Sequence, residues 1–300
     1  MKKVLSVACA LCMTTAMLTG CGSSNNAGTA ATGEAQNSAA ASTTTEQAST
    51  ATDAGTTLIA LITMDSLDQH WVTLNEGAQK AAAELGVTVQ FMAPNTKDDA
   101  QQIECVNNAV SAGAQAIIVA ANGPDAISSA LREASDAGVK LIYVDSPANV
   151  SAEATFSTDN NAAGKTAGEE MKKALADAGV TSGSIGIINV NAATDSCVMR
   201  EEGFRSAFEG TDFELLETQY GEGDAAKSQS IAENYITQGV VGIFGCNEGS
   251  TTGAGNAIKA SGKDNVIGVG FDKSDAILGL IDDGYPVSYT HLTLPTILLV

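Results

Sequence analysis

An α/β protein built on parallel sheets is the fold class that this 300-residue chain predicts, and three features predict it. Short β-branched runs alternate with amphipathic stretches from Thr57 onward. Most of those runs are apolar throughout rather than alternating, as strands covered on both faces must be. Glycine then closes helix after helix just before the next run, at Leu85-Gly86-Val87, Ala137-Gly138-Val139, Ala178-Gly179-Val180 and Gln238-Gly239-Val240. The residue that ends a helix takes a left-handed backbone, which glycine adopts without steric cost. Strand, helix, glycine and strand in repetition describe right-handed βαβ units.

In chain order the predicted strands are Leu58–Thr63, Val87–Met92, Ala116–Ala120, Lys140–Val144, Ser184–Val190, Phe213–Thr218, Val240–Phe244 and Val266–Gly270. Between them, Ile127, Ala130, Leu131 and Ala134 mark one buried helical stripe, and Ala167, Met171, Ala174, Leu175 and Ala178 mark another.

The ends of the chain read differently. Lys2 and Lys3 precede an apolar run from Val4 to Leu18 that is too short to span a bilayer, and Leu18-Thr19-Gly20-Cys21 closes it. This is a lipoprotein signal peptide over residues 1–20, with Cys21 as the lipidated residue; an ordinary cleaved leader with an incidental cysteine is the alternative. Residues 21–55, rich in Ala, Ser, Thr and Gly, have too little apolar surface to fold and read as a flexible tether. At the other end, residues 287–300 break the pattern: Val287 to Thr296 resembles one reading frame of a sequencing adapter. The expectation is a non-native tail on a C-terminally truncated chain, a genuine β-prone terminal strand being the alternative.

The formal net charge is −20, and the only charges in the leader are lysines, so the chain beyond Gly20 is more acidic still. Such a surface argues against nucleic acid as a partner. Beyond Cys21 only Cys105, Cys197 and Cys246 remain, without paired spacing, and read as buried free thiols. With two histidines, His70 and His291, neither a zinc site nor Ser-His-Asp chemistry is easily built. Gly164-Lys165-Thr166 lacks the leading glycine of a phosphate loop, Asp159 standing there, and neither GxGxxG after a strand nor GxSxG occurs. The expectation is a binding protein without catalysis, cofactor or metal.

In open parallel sheets ligands sit beyond the carboxyl ends of the strands. The residues there are Met64 to Trp71, Asn122, Asp145-Ser146, Asn191 to Arg200, Asn247-Glu248 and Phe271-Asp272. A carboxylate so placed accepts hydrogen bonds from neighbouring hydroxyls at about 1.5–3 kcal/mol each. An indole face covers the C–H face of a pyranose. Three or four such contacts reach the roughly 8 kcal/mol of micromolar binding. The chemistry suits a neutral polyol such as a sugar.

On Glu76-Gly77-Ala78-Gln79-Lys80, Asp159-Asn160, Arg200-Glu201-Glu202-Gly203-Phe204, Asn247-Glu248 and Gly268-Val269-Gly270-Phe271-Asp272, the sequence resembles the solute-binding proteins of sugar ABC importers. These are the ribose/galactose/allose type, with the type I periplasmic-binding-protein fold. The resemblance runs from about Thr56 to Pro286. It implies two βαβ lobes, 56–158 and 159–286, joined by a hinge. They close on a sugar and deliver it to an ABC permease; with the Cys21 lipid read from the leader, the expected form is a monomer anchored at the membrane.

Residue by residue, the resemblance implies that Asp145, Asn247 and Asp272 hydrogen-bond sugar hydroxyls and that Trp71 stacks on the ring. Asp68 and His70 stand where ribose binders carry an asparagine and a second aromatic. The departures are as telling. Ala120 aligns with the ribose binders' asparagine after the third strand, and Asn122 lies two positions on. Their ligand arginine aligns with Val198, Arg200 holding the commoner family slot, and their second-lobe aromatic aligns with Gly223. The resemblance therefore implies a ligand other than ribose held in the ribose manner. Local alternatives stand beside these roles: Asp145 as a turn cap, Trp71 packed under its loop, Asp68 and His70 solvated, Arg200 paired with Glu201 or Glu202. At the level of the whole protein the alternative to import is sensing, with the same fold presenting a sugar-like signal to a chemoreceptor or histidine kinase.

Overall fold

The computed structural model describes residues 56–263, 265–283 and 287–290. Cys21, the leader, the tether and residues 291–300 lie outside the described residues. The fold is α/β, with two βαβ lobes each wound on a parallel sheet. The first sheet has the order β2-β1-β3-β4-β5. Its strands are β1 (Leu58–Ile62), β2 (Thr88–Met92), β3 (Ala116–Val119), β4 (Lys140–Val144) and β5 (Ala154–Phe156). Helices α1 (Gln69–Leu85), α2 (Asp99–Ser111) and α3 (Ser128–Asp136) connect them.

The chain then passes through residues 157–159 into α4 (Asn160–Asp177) and the second sheet, of order β11-β10-β9-β6-β7. That sheet comprises β6 (Gly183–Asn189), β7 (Phe213–Leu215), β9 (Gly242–Gly245), β10 (Ile267–Phe271) and β11 (Val287–Thr290), with β8 (Gln219–Tyr220) also pairing β6. Its helices are α5 (Asp195–Ala207), α6 (Ala225–Gln238), α7 (Glu248–Ser261) and α8 (Asp275–Asp282). Every pairing in both sheets is parallel.

The expected strands are present within a residue or two, with three differences. Phe213–Thr218 divides into β7 and β8, because the chain leaves the edge of β6 after Leu215 and returns at Gln219. β5 was not expected; three residues against β4 make it an edge strand without a hydrophobic run of its own. Residues 287–290, expected to lie outside the fold, run parallel to β10 in register Gly268↔Val287.

The four helix-closing glycines all take positive φ, from 68° at Gly86 to 93° at Gly138. Ile127, Ala130, Leu131 and Ala134 are buried as expected, and so are Ala167, Met171 and Leu175, whereas Ala178 is exposed at the end of its helix. Cys197 and Cys246 are buried free thiols, but Cys105 is only partly covered. Gly164, Lys165 and Thr166 lie inside α4, whose N-cap Asp159 accepts from Ala162 N–H, so no loop exists there to cradle phosphate.

Two glycines bring α4 and α5 into close contact. A Cβ on Gly164 would lie 2.0 Å from the Arg200 carbonyl oxygen, and one on Gly203 2.0 Å from that of Asn161. This packing places the middle of α5, with Arg200, against the first turns of α4, just beyond the segment joining the lobes.

Candidate functional site at the carboxyl ends of two sheets

In each sheet the strand order reverses direction beside the first strand, between β1 and β3 and between β6 and β9, and the loops on either side of such a point leave a crevice. The site is built from the loops beyond these strands. Gln102 of α2 holds the first pair apart at a fixed distance. Its amide donates to Thr63 O (3.0 Å) and Ala120 O (2.8 Å), and its Oε1 accepts from Asn122 N–H (2.9 Å). In the second lobe Thr251 of α7 ties the ends of the neighbouring pair, β9 and β10, its hydroxyl accepting from Phe271 N–H (2.9 Å) and donating to Asn247 O (2.8 Å).

After β1, Asp65 forms a tight turn, accepting from Leu67 and Asp68 N–H at 2.8 Å each, and it pairs with Lys97. Burial alone would raise the Asp65 carboxyl; the Lys97 ammonium and the two backbone donors outweigh it and hold the group below its ordinary range. Asp68 caps α1 through His70 N–H (3.1 Å) and stands 3.5 Å from Lys97 Nζ. Trp71 is buried against Met64 and Ala120, edge-on to His70 with ring centroids 4.6 Å apart. Its indole Nε1 is buried without a partner.

Asn122, Asp145 and Ser146 meet the second lobe. Thr194 donates its hydroxyl to Asn122 O (2.7 Å), and Asn191 its amide to Asn122 Oδ1 (3.4 Å). The Ser146 and Ser196 hydroxyls lie 2.8 Å apart, and Ser196 donates to Asp145 Oδ2 (3.0 Å).

Arg200 is buried, and it does not pair with Glu201 or Glu202. Its Nε donates to Asn160 Oδ1 (2.9 Å), its Nη1 to Cys246 O (3.0 Å), and Nη2 stands 3.6 Å from Asp145 Oδ1. The guanidinium also lies over the Phe271 ring, 4.4 Å from its centroid. Glu201 instead pairs with Arg205 at 2.8 Å.

Asp145 and Asp272 share an unusual backbone. Their φ angles are 61° and 71°, the left-handed region that glycine favours, and each is the first residue after its strand. Strain of this kind turns a side chain away from the strand direction and concentrates at binding sites. The Asp272 carboxyl is pushed up by burial, with Asp68 and Asp145 adding to the rise and Arg200 and His70 opposing it. Residues from several separate loops thus act on one carboxylate.

Asn247 caps α7 through Oδ1, accepting from Ser250 N–H (3.1 Å), while its Nδ2 is buried and unpartnered. Next to it, Glu248 has a buried, unpartnered Oε2, and its carboxyl is pushed up to about 8 by burial, with the facing Asp68 carboxyl as the next cause. Asp68 and Asn122 line a cavity of about 1070 Å³ together with Lys97, Asn191, Gly223 and Glu248. Lys97 was invisible to sequence reasoning: it lies in an irregular stretch after β2, and lysines there are ordinarily solvated. Glu248 stood among the residues after a strand, but nothing in the sequence distinguishes a ligand carboxylate from a helix-start acid.

Among the described residues no cluster of His, Cys, Asp and Glu could hold a metal, and no helix is long and apolar enough to cross a membrane.

The periplasmic binding protein domain family model matches residues 59–290. The ribose import binding protein RbsB of Haemophilus influenzae is 30% identical over 230 residues, 76% of this chain and 76% of that protein. A carbohydrate transporter solute binding protein from Agrobacterium radiobacter, solved in complex with D-arabinose, superposes with a TM-score of 0.74 at 26% identity, covering 78% of this chain and 81% of that one. The XylFII-LytSN complex contains a chain that superposes with a TM-score of 0.71 at 25% identity, covering 77% and 85%.

Proposed function

We propose, on the premise that this chain belongs to the periplasmic binding protein domain family and has its two-lobed type I fold, that it captures a neutral sugar between its lobes and hands it to an ABC permease. Relatives at this similarity are import binding proteins, and the chain is a binding protein, not an enzyme.

The observation that carries the proposal is a set of three buried polar atoms without partners: Trp71 Nε1, Asn247 Nδ2 and Glu248 Oε2. They sit at the starts of α1 and α7, just beyond strands of the two sheets, and each costs about 1–3 kcal/mol while unpaired. Trp71 and Asn247 offer donors, and the Glu248 carboxyl, which keeps its proton up to about pH 8, can both give and take, a set that suits hydroxyls, which also do both. The residues proposed to contact the sugar are Asp68, His70, Trp71, Asn122, Asp145, Arg200, Asn247 and Asp272. Asp145 and Asp272 accept from hydroxyls, Arg200 and Asn247 donate, and Trp71 covers an apolar ring face. Bound sugar joins the two halves and so favours the closed arrangement, the state a permease would recognise.

In this reading residues 56–158 and 159–286 are the two lobes, the mature protein is a monomer, and Cys21 carries the lipid that holds it at the membrane outside the cytoplasm. Mass spectrometry of Cys21 peptides tests the anchor. For the ligand, thermal-shift screening against pentoses, hexoses and polyols should give a hit that Asp145→Ala and Asp272→Ala each abolish without unfolding the protein. Unchanged affinity in both variants would place the cleft elsewhere.

A second reading is sensing, favoured by the similarity to XylFII in its complex with LytSN. Permease and ATPase genes beside this one would support import, and a histidine-kinase gene would support sensing.

A further inference from the structure

Lys97 belongs to the first lobe, in the segment between β2 and α2, yet its side chain ends against the second. A Cβ built on Gly223, which lies just after β8, would lie 2.8 Å from each of Lys97 Cδ, Cε and Nζ. The lysine stem therefore fills the space where residue 223 has no side chain. Its side chain is only 6% exposed, and the ammonium is anchored at home by Asp65 and by Asp68 at 3.5 Å. Those two partners use two of its three N–H donors. Gly223 has φ 72°, so this seat combines a left-handed backbone with the absence of a side chain.

We propose that Lys97 is the cross-cleft clamp of this protein: a positioning residue, held by Asp65 and Asp68, whose stem seats on Gly223 and holds the second lobe closed over the ligand. A buried ammonium retained on two carboxylates is a costly way to fill space that any aliphatic side chain would fill. Its reach explains the arrangement. The aliphatic stem gives contact to the facing lobe, and the charge fixes the stem's direction from its own lobe. Lys97 also lines the cavity, as does Glu248, so seating the clamp closes one wall of the site. The inference deepens the sugar-capture reading, since it assigns to that site its closing contact.

The test uses two variants that act from opposite lobes. Gly223→Ala puts a methyl where the Lys97 stem and Nζ now lie and so unseats the side chain while leaving Asp65 and Asp68 in place; Lys97→Met keeps most of the stem and removes its anchor. Small-angle X-ray scattering without sugar should show both with a larger radius of gyration than the unmodified protein. Calorimetric and stopped-flow titration with D-ribose, D-allose, D-arabinose and D-apiose should show dissociation of any bound sugar accelerated about tenfold. Gly223→Ala in a Lys97→Ala background should cost clearly less than Gly223→Ala alone, because the backbone strain at 223 is common to both and only the contact differs. An unchanged radius of gyration in both variants, or strictly additive effects in the double variant, would overturn the clamp. If none of the four sugars binds while both variants still open, the sugar reading falls and the clamp stands.

Discussion

Arg200 Nη2 stands 3.6 Å from Asp145 Oδ1, and the two side chains arise from different lobes. The same guanidinium takes Asn160 Oδ1, and Asn160 in turn donates to Thr158 O and Ser157 Oγ in the segment that joins the lobes. Ser157 closes the circuit by donating to Asp145 O. The segment joining the lobes, the Asp145 carboxylate and the buried cation therefore form one ring of hydrogen bonds closed by an ion pair.

Removing Arg200 from that ring should be expensive. Arg200→Met leaves Asp145 and Asp272 in a buried site without their cation, at a cost of about 3–5 kcal/mol. Arg200 is the foremost influence opposing the rise of the Asp272 carboxyl, so its loss raises that group further. Asp272 then protonates more readily, and the penalty should be smaller at pH 5 than at pH 8. Urea denaturation at the two values checks both statements; an equal penalty would mean the carboxylates do not sense the guanidinium.

Glu248 and Asp65 give the protein opposite pH dependences. Glu248 rises from 4.5 in the open chain to about 8 in the fold, so the folded state holds the extra proton between those values. Its contribution is fully present below about pH 4.5 and is lost as pH rises towards 8. Asp65 is shifted below 3.8, so its contribution is present above that value and lost on further acidification. Stability should therefore peak in mildly acidic solution. Glu248→Gln keeps the shape without the titration and should flatten the alkaline fall while leaving the acid limb in place. Melting temperatures from pH 3 to pH 9 for both proteins decide it.

Gly203→Ala probes how α5 is seated. The new methyl would fall 2.0 Å from Asn161 O and 2.8 Å from Lys165 N, backbone atoms that cannot rotate aside. Overpacking of this kind costs about 1–3 kcal/mol or more. Because α5 carries Arg200 and α4 begins at Asn160, the displacement should also weaken binding of whatever sugar the screen finds. Gly279→Ala is the control, since nothing lies within 4 Å of a Cβ there.

Much of this fold can be read from local chemistry. Apolar runs such as Ile185 to Ile188 are strands because only burial on both faces tolerates them, and Gly86 and Gly239 stop helices because they take left-handed φ. Asp145 and Asp272 were legible as candidates because a post-strand position in a parallel sheet is defined by sequence order alone. What sequence could not supply is convergence across lobes. Lys97 and Gly223 are separated by well over a hundred residues, and neither belongs to a patterned element. β5 was missed for a related reason: a three-residue edge strand has too few side chains to show a period. Arg200 shows the limit most clearly, since its helix offers Glu201 and Glu202 as neighbours and the fold gives it Asp145 and Asn160 instead.

Trp71 is the protein's single tryptophan, so its fluorescence reports the site without interference. It is buried and edge-on to His70, with Nε1 unpartnered, and its emission should be blue-shifted and should change when a sugar supplies a hydrogen-bond acceptor. Trp71→Phe keeps an aromatic against Met64 and Ala120 but removes the donor. Losing one buried hydrogen bond of about 1–1.5 kcal/mol lowers affinity roughly five- to tenfold, with only a small change in melting temperature. Trp71→Ala also empties the pocket and should cost about 3–5 kcal/mol of stability. If Trp71→Phe binds as tightly as the unmodified protein while Trp71→Ala merely unfolds, the indole is a packing residue and its donor plays no part in recognition.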